Sequence, residues 1–438
     1  MRREPRYCKL QNANFKCAIC ILQFAISYGF SPAADWPQWQ GPDRTNVSKE
    51  TRLLKSWPEG GPRLVWTFAK AGVGYSAPAI VGDRFYTMGA RGESEFLIVL
   101  DVRTGKELWA KPIGPTFTFK DNQWGDGPRS TPTIDGDRIY ALGGQGELVC
   151  LEIDSGKILW QHNLYKDYDG WVMDNYGVPK VGWGYCEGPL VDGDQVVVTP
   201  GGDKGLLIAF NKETGEEIWR GKDAKGKAPY SSVMVADIGG IRQYIQAMDK
   251  GLVGVAAKDG RLLWHYKKEF SDMAINTPIV HDRQVFVTAG WNQGCYLIRP
   301  PSEDKKSEVV KVYEKKYSNE EGGVVLVGGH LYGYFDNKGW CCLKFSDGEE
   351  VWSEKTKLGK GSLTFADGFL YCLSDADGIV ALVAADPAQK WQETGRFTLP
   401  QKSEKRKPSA RIWTHPVVSN GRLYLRDQEL IFCYDVKK

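Results

Sequence analysis

A chain of 438 residues with 50 glycines, 16 tryptophans and 12% aromatic side chains has the composition of a turn-rich β protein. Its formal charge of +3 is carried by the N-terminus: residues 1–34 hold five basic side chains against one acidic, which leaves −1 for the remainder. A near-neutral body excludes the salt-dependent phosphate grip of a nucleic-acid binder, and no run reaches the roughly 18 apolar residues of a membrane span.

The first residues read as a targeting segment. Arg2, Arg3, Arg6, Lys9 and Lys16 face only Glu4, the apolar run Cys17–Phe30 follows with Gln23 inside it, and small residues close the segment at Ser31–Ala34. Basic region, apolar core and small-residue exit predict a secretory signal over 1–34, cleaved after Ala33 or Ala34, and hence a periplasmic or secreted protein. An uncleaved membrane anchor is the competing reading; with the signal cleaved, the chain is not an integral membrane protein. Cys17-Ala18-Ile19 before Cys20 is a poor lipoprotein box. Residues 35–61 form a lead-in, and 62–438 a single repeat domain.

Self-comparison exposes the repeat. Val99-Leu-Asp-Val-Arg-Thr-Gly-Lys-Glu-Leu-Trp109 returns as Cys150-Leu-Glu-Ile-Asp-Ser-Gly-Lys-Ile-Leu-Trp160, as Ala209-Phe-Asn-Lys-Glu-Thr-Gly-Glu-Glu-Ile-Trp219, at Gly254–Trp264 and at Cys342–Trp352. The first four tryptophans are 51, 59 and 45 residues apart, a period that predicts propeller blades. Upstream of each frame lies a strand, a Gly-Asp type turn and a second strand, as in Ser76-Ala-Pro-Ala-Ile-Val-Gly-Asp-Arg-Phe-Tyr86 and Ser130–Tyr140, which is a hairpin by composition. Four antiparallel strands per unit follow, with the Trp in the outer strand to staple one blade to the next.

Units begin near Tyr75, Arg129, Cys186, Tyr230, Ile275, Glu320, Gly361 and Ile412. The last stops after three strands, and Arg63–Phe68 supplies its fourth, closing the ring and removing its edges. Units five and seven are degenerate, with Tyr313 and Phe397 in place of Trp. The prediction is an all-β, eight-bladed propeller; seven blades follow if a degenerate unit fails.

Seven cysteines remain beyond residue 34, an odd number without a CxxC pair, so neither a disulfide framework nor a zinc site is encoded. Cys150, Cys342 and Cys433 share one strand position, where a buried small hydrophobe serves. Alternation sends the adjacent Cys341 and Cys342 to opposite faces, so a bridge between them needs a distorted backbone. His162, His265, His281, His330 and His415 are scattered over separate units, and no nucleophile motif supports hydrolysis.

The Leu-Asp-x-x-Thr-Gly-Lys-x-x-Trp frame resembles the repeat of pyrroloquinoline-quinone (PQQ) type propellers, from Arg63 to the C-terminus. The opening Asp35-Trp-Pro-Gln-Trp-Gln-Gly-Pro-Asp-Arg44 is similar to the lead-in of secreted bacterial proteins of this group. The resemblance implies the fold and leaves the activity open, since the family includes quinoprotein alcohol dehydrogenases, which bind PQQ and Ca²⁺, and a non-catalytic propeller of outer-membrane protein assembly. Some of those dehydrogenases carry a disulfide between neighbouring cysteines, in an earlier blade than Cys341-Cys342.

Residues just before each innermost strand gather at one mouth of the channel. If the resemblance extends to chemistry, Glu187 and Asn276 are the oxygen donors for Ca²⁺, Arg129 is the cation for the cofactor carboxylates, Trp413 or Tyr230 is the stacking surface, and Glu320 or Glu321 is the base. The alternative is that these residues fix strand starts around a wet channel. Two aromatic insertions stand outside the repeat: Pro112–Pro128 with Trp124, and Leu164–Tyr185 with Trp171, Tyr176, Trp183 and Tyr185. Such loops are favoured binding places and are read equally well as packing over the mouth. Two functions stay open: a non-catalytic exported scaffold that holds an unknown protein or small-molecule ligand, and a PQQ- and Ca²⁺-dependent alcohol oxidoreductase.

Overall fold

The computed structural model describes residue 1 and residues 35–173, 181–270, 274–301 and 308–438. The predicted signal segment with its cleavage position, the Cys20 box, Tyr176 and the Lys305-Lys306 pair lie outside the described residues. Eight blades of four antiparallel strands follow one another along the chain, and the sheet of the seventh gains a short fifth strand. Blade one spans 79–115, two 133–163, three 190–220, four 234–267, five 279–315, six 324–354 and seven 361–398. Blade eight spans 417–435 and takes its outer strand, Arg63–Phe68, from the other end of the chain, with Trp66 opposite Cys433. Both degenerate units form blades, so the count is eight. Among the described residues no helix is long and apolar enough to cross a membrane.

The third strand of each blade is buried on both faces, as Leu97–Leu100 illustrate at 0% exposure. That placement explains why the repeat there is aliphatic or Cys rather than alternating. Cys150, Cys342 and Cys433 are buried and unbridged, as are Cys341 and Cys342, which face different inter-blade cores.

The Gly and the Trp of the repeat interlock between blades. Gly260 of blade four has φ +69°, and a Cβ there would meet the Trp219 ring of blade three at 2.3 Å. Glycine is thus required by backbone and by contact together. Gly105, Gly156 and Gly215 lie in the same way on Trp66, Trp109 and Trp160. The indole N–H then donates to the neighbouring turn, Trp66 Nε1 to Val102 O at 2.8 Å and Trp160 Nε1 to Lys212 O at 3.0 Å. These two seams therefore join buried aromatic area to a satisfied donor.

Four seams depart from that pattern. Between blades six and seven, Gly378 meets Leu399, and the buried Trp352 Nε1 finds no partner among the described residues. Gly348 lies on Tyr313, the expected stand-in. Blade five offers Arg299-Pro300-Pro301 where the turn glycine belongs, and Trp264 turns back onto its own blade, donating to Gln243 Oε1 at 2.6 Å. In blade seven Phe397 meets Gly61 as a staple would. The bulge, however, puts Gly395 at the Trp register, opposite Leu382. Trp57 of the lead-in lies over Gly395 and packs edge-on against Phe397 at 5.3 Å. Two distant aromatics thus do the work of one repeat Trp.

The lead-in crosses the channel. Trp36 pairs with Ile80 of blade one, and Ile134 N of blade two donates to Pro37 O at 2.8 Å. The buried Arg44 donates to Gly188 O and Pro189 O of blade three and to Val233 O of blade four. Two residues on, Asn46 O accepts from Phe365 N of blade seven at 3.1 Å, and Val47–Ser48 runs parallel to that blade's inner strand. In an eight-membered ring blades three and seven are opposite, so residues 44–46 bridge the full bore.

Candidate functional site

The crossing lead-in makes the floor of a cup. Above it the inner-strand starts converge on a cavity of about 550 Å³, with Trp39 and Gln40 contributed from below. Trp39 Nε1 donates to Thr277 Oγ1 at 3.0 Å, and its ring lies 4.9 Å from that of His415. His415 is buried, and loss of solvent lowers its pKa to about 4. The neutral ring is 2.9 Å from Glu321 O through Nε2 and 3.4 Å from the Asn46 amide through Nδ1, which places its proton on Nε2. Floor and wall are locked together by these contacts.

One wall is aromatic and carries a caged cation. Trp124 and Trp183 meet edge-on at 5.0 Å, and Tyr75 lies against Trp413 at 5.1 Å. The Arg129 guanidinium sits over Tyr75, Phe117 and Trp183 at 5.0–5.9 Å. It also donates to Gly127 O at 3.1 Å and Gly125 O at 3.0 Å. Rim aromatics are completed by Trp291, which is 45% exposed and held at φ +52°. A bulky residue in the left-handed region is strained, a state found at functional sites.

A second wall is acidic. Lys360, immediately before the inner strand of blade seven, pairs with Glu320, with Glu321 at 2.9 Å and with Asp336 at 3.0 Å. Burial opposes its charge, but the facing carboxylates outweigh that and hold the ammonium protonated. Burial, only partly offset by Lys360, pushes Glu321 up to about 7 and Asp336 up to about 6. Asp375, 7% exposed, also lines the cavity and is raised to about 6 by burial against the fields of Lys360 and Arg411.

Arg129, Tyr230, Asn276, Glu320, Glu321, Trp413, Trp124 and Trp183 all line this cavity. Glu187, Trp171 and Tyr185 are not among its lining residues. The Glu187 carboxylate is buried behind the mouth and accepts from Thr199 N and from Thr199 Oγ1 at 2.8 Å. Tyr185 is buried with its hydroxyl on Pro200 O at 2.8 Å, and Trp171 is pinned through its backbone to Pro200 and Ala228. Tyr230 donates to Met173 O at 2.8 Å, tying the aromatic loop to blade four. Sequence reasoning missed Trp39, Lys360, Asp375, Arg411 and His415.

The Ca²⁺ and PQQ pairing implied by the resemblance does not fit this donor set. Glu187 spends its oxygens on Thr199, and Asn276 turns its amide nitrogen to Asn319 O at 2.7 Å and Glu320 O at 3.1 Å. The carboxylates that do converge, Glu320, Glu321 and Asp336, enclose the Lys360 ammonium where a metal would sit. Among the described residues no group of three or more His, Cys, Asp or Glu is arranged to hold a metal.

Three comparisons bear on this geometry. The PQQ_2 family model, described as "Outer membrane protein assembly factor BamB", matches residues 63–178, 94–354 and 306–430. The outer membrane protein assembly factor BamB of Burkholderia pseudomallei is 24% identical over 170 residues, 37% of this chain and 39% of that one. Lupanine 17-hydroxylase [cytochrome c] of a Pseudomonas species is 29% identical over 180 residues, 40% of this chain and 23% of that protein. The chain thus matches well under half the length of these curated relatives. The crystal structure of the quinohemoprotein alcohol dehydrogenase from Comamonas testosteroni superposes with a TM-score of 0.65 at 12% identity, covering 92% of this chain and 81% of that one. At such identity the likeness speaks to the fold alone.

Proposed function

We propose, from the premise that the chain belongs to the PQQ_2 family of propellers, that it is an exported, non-catalytic binding propeller which takes a small ligand into the cup. The observation that carries this reading is the cup itself. It is floored by the chain's own lead-in and walled by aromatics, and three of its six charged lining groups, Glu320, Glu321 and Lys360, are paired with one another. Cavities of this size with a few convergent polar groups are the usual form of small-ligand sites. The family's description as an assembly factor supports binding without chemistry. Export rests on the basic and then apolar residues 1–34.

The oxidoreductase alternative needs a calcium site that the donor set does not supply. Both readings meet in one experiment on the purified chain. 1-Naphthol should quench tryptophan fluorescence saturably at one site, and Ser409→Trp at the rim should weaken that binding at least fivefold. With PQQ, Ca²⁺ and short alcohols, no alcohol-dependent dye reduction should appear. Dye reduction would overturn the non-catalytic reading, and absence of saturable binding would overturn the cup as a ligand site.

A further inference from the structure

The acidic wall holds four carboxylates, and its one lysine reaches three of them. Lys360 is shared among Glu320, Glu321 and Asp336. Arg406, the next cation, is committed to Asp427 at 2.6 Å. Arg411 donates to its own neighbour, Ala410 O, at 2.9 Å and is exposed at the rim. Asp375 is left over: it is more than nine-tenths buried and lines the cavity, yet among the described residues no hydrogen bond or ion pair reaches its carboxylate. Its oxygens are not fully enclosed and open into the cavity, so the carboxylate is partly desolvated and has no fixed protein partner.

Its backbone explains why it stays there. Asp375 N donates to Lys360 O at 2.9 Å, and Ile412 N donates to Asp375 O at 2.8 Å. These bonds fix the residue between the inner strand of blade seven and the segment that presents Trp413. Trp413, the next residue after Ile412, lines the same cavity as Asp375 and lies against Tyr75. A carboxylate and aromatic faces lining one partly desolvated cup are the arrangement that selects an organic cation.

We infer that the cup's ligand is an organic ammonium, an amine on an apolar body, whose nitrogen pairs with Asp375 while its body lies on the aromatic wall. This rests on the proposed binding role of the cup and names its ligand class. Arg411 then acts as a competitor, since its nearby charge weakens the attraction of any ammonium for Asp375.

The test is calorimetry of the full chain at pH 7.5 with three probes of one shape: 2-phenylethylamine, 2-phenylethanol and phenylacetate. The amine should bind about tenfold more tightly than the alcohol, as a charge-assisted hydrogen bond warrants, and phenylacetate should bind more weakly than either. Asp375→Asn should erase the amine's advantage without weakening the alcohol. Arg411→Ala, an exposed change that leaves the fold alone, should tighten the amine about threefold. If the alcohol and the acid match the amine, or if a folded Asp375→Asn keeps the amine preference, the ammonium inference falls while the cup survives. If none of the three binds, both fall together.

Discussion

Arg129 and Asp375 line the same cup, and the fold treats them in opposite ways. Arg129 is enclosed by three rings and bonded to two carbonyls, so its charge is used in building the wall. Asp375 is buried as deeply as a core residue and has no such shell. A charge with a complete set of partners tells of architecture; one held in place by its backbone and left without partners points outward, to something the chain does not itself supply.

The largest effect that sharpens this contrast is expected at Lys360. Lys360→Met would leave Glu320, Glu321 and Asp336 facing one another without a cation, and urea unfolding at pH 7.5 should show a loss of about 3 kcal/mol. Because Glu321 and Asp336 already titrate near 7 and 6, the loss should shrink by pH 5, where both take up protons. Next comes Arg129→Ala, which removes two hydrogen bonds and the cation of the aromatic cage and should cost about 2 kcal/mol. Arg129→Lys should restore only part of that, since an ammonium cannot span the same carbonyls and rings.

Asp375→Asn should move stability the other way and by less. The folded-state pKa is about 6 against 3.8 for the free group, so the folded chain binds the proton more tightly than the unfolded one. Wild-type stability at this site is therefore highest below pH 3.8 and falls as pH rises through 6. The variant should gain about 1–2 kcal/mol at pH 7.5 and nothing at pH 4, read from paired thermal or urea melts. A destabilised variant at neutral pH would show that Asp375 does have a partner, and the contrast with Arg129 would dissolve.

The scaffold was readable because its signal is periodic. A glycine and a tryptophan four residues apart recur because the regular seams need both, and the closing strand at Arg63–Phe68 was visible as the one copy out of place. What escaped came from outside the period: Trp57 filling blade seven, Trp264 turned back onto Gln243, and a lead-in that threads the bore. The site was half readable. Positions just before the inner strands do converge, and the same rule applied to Gly361 would have found Lys360. Asp375 follows the second strand, Phe369–Ser374, as Asp336 follows His330–Phe335, a second positional rule that the repeat frames alone do not show. Glu187 obeyed the first rule yet faces Thr199, because alternation sent its side chain away from the bore.

The most direct measurement is a crystal structure of the chain soaked with 2-phenylethylamine. The amine nitrogen should lie about 3 Å from the Asp375 carboxylate, with the ring against Trp413 and Lys360 still among its three acids. An amine bound with its nitrogen away from Asp375, or a cup left empty at saturating ligand, would contradict the account.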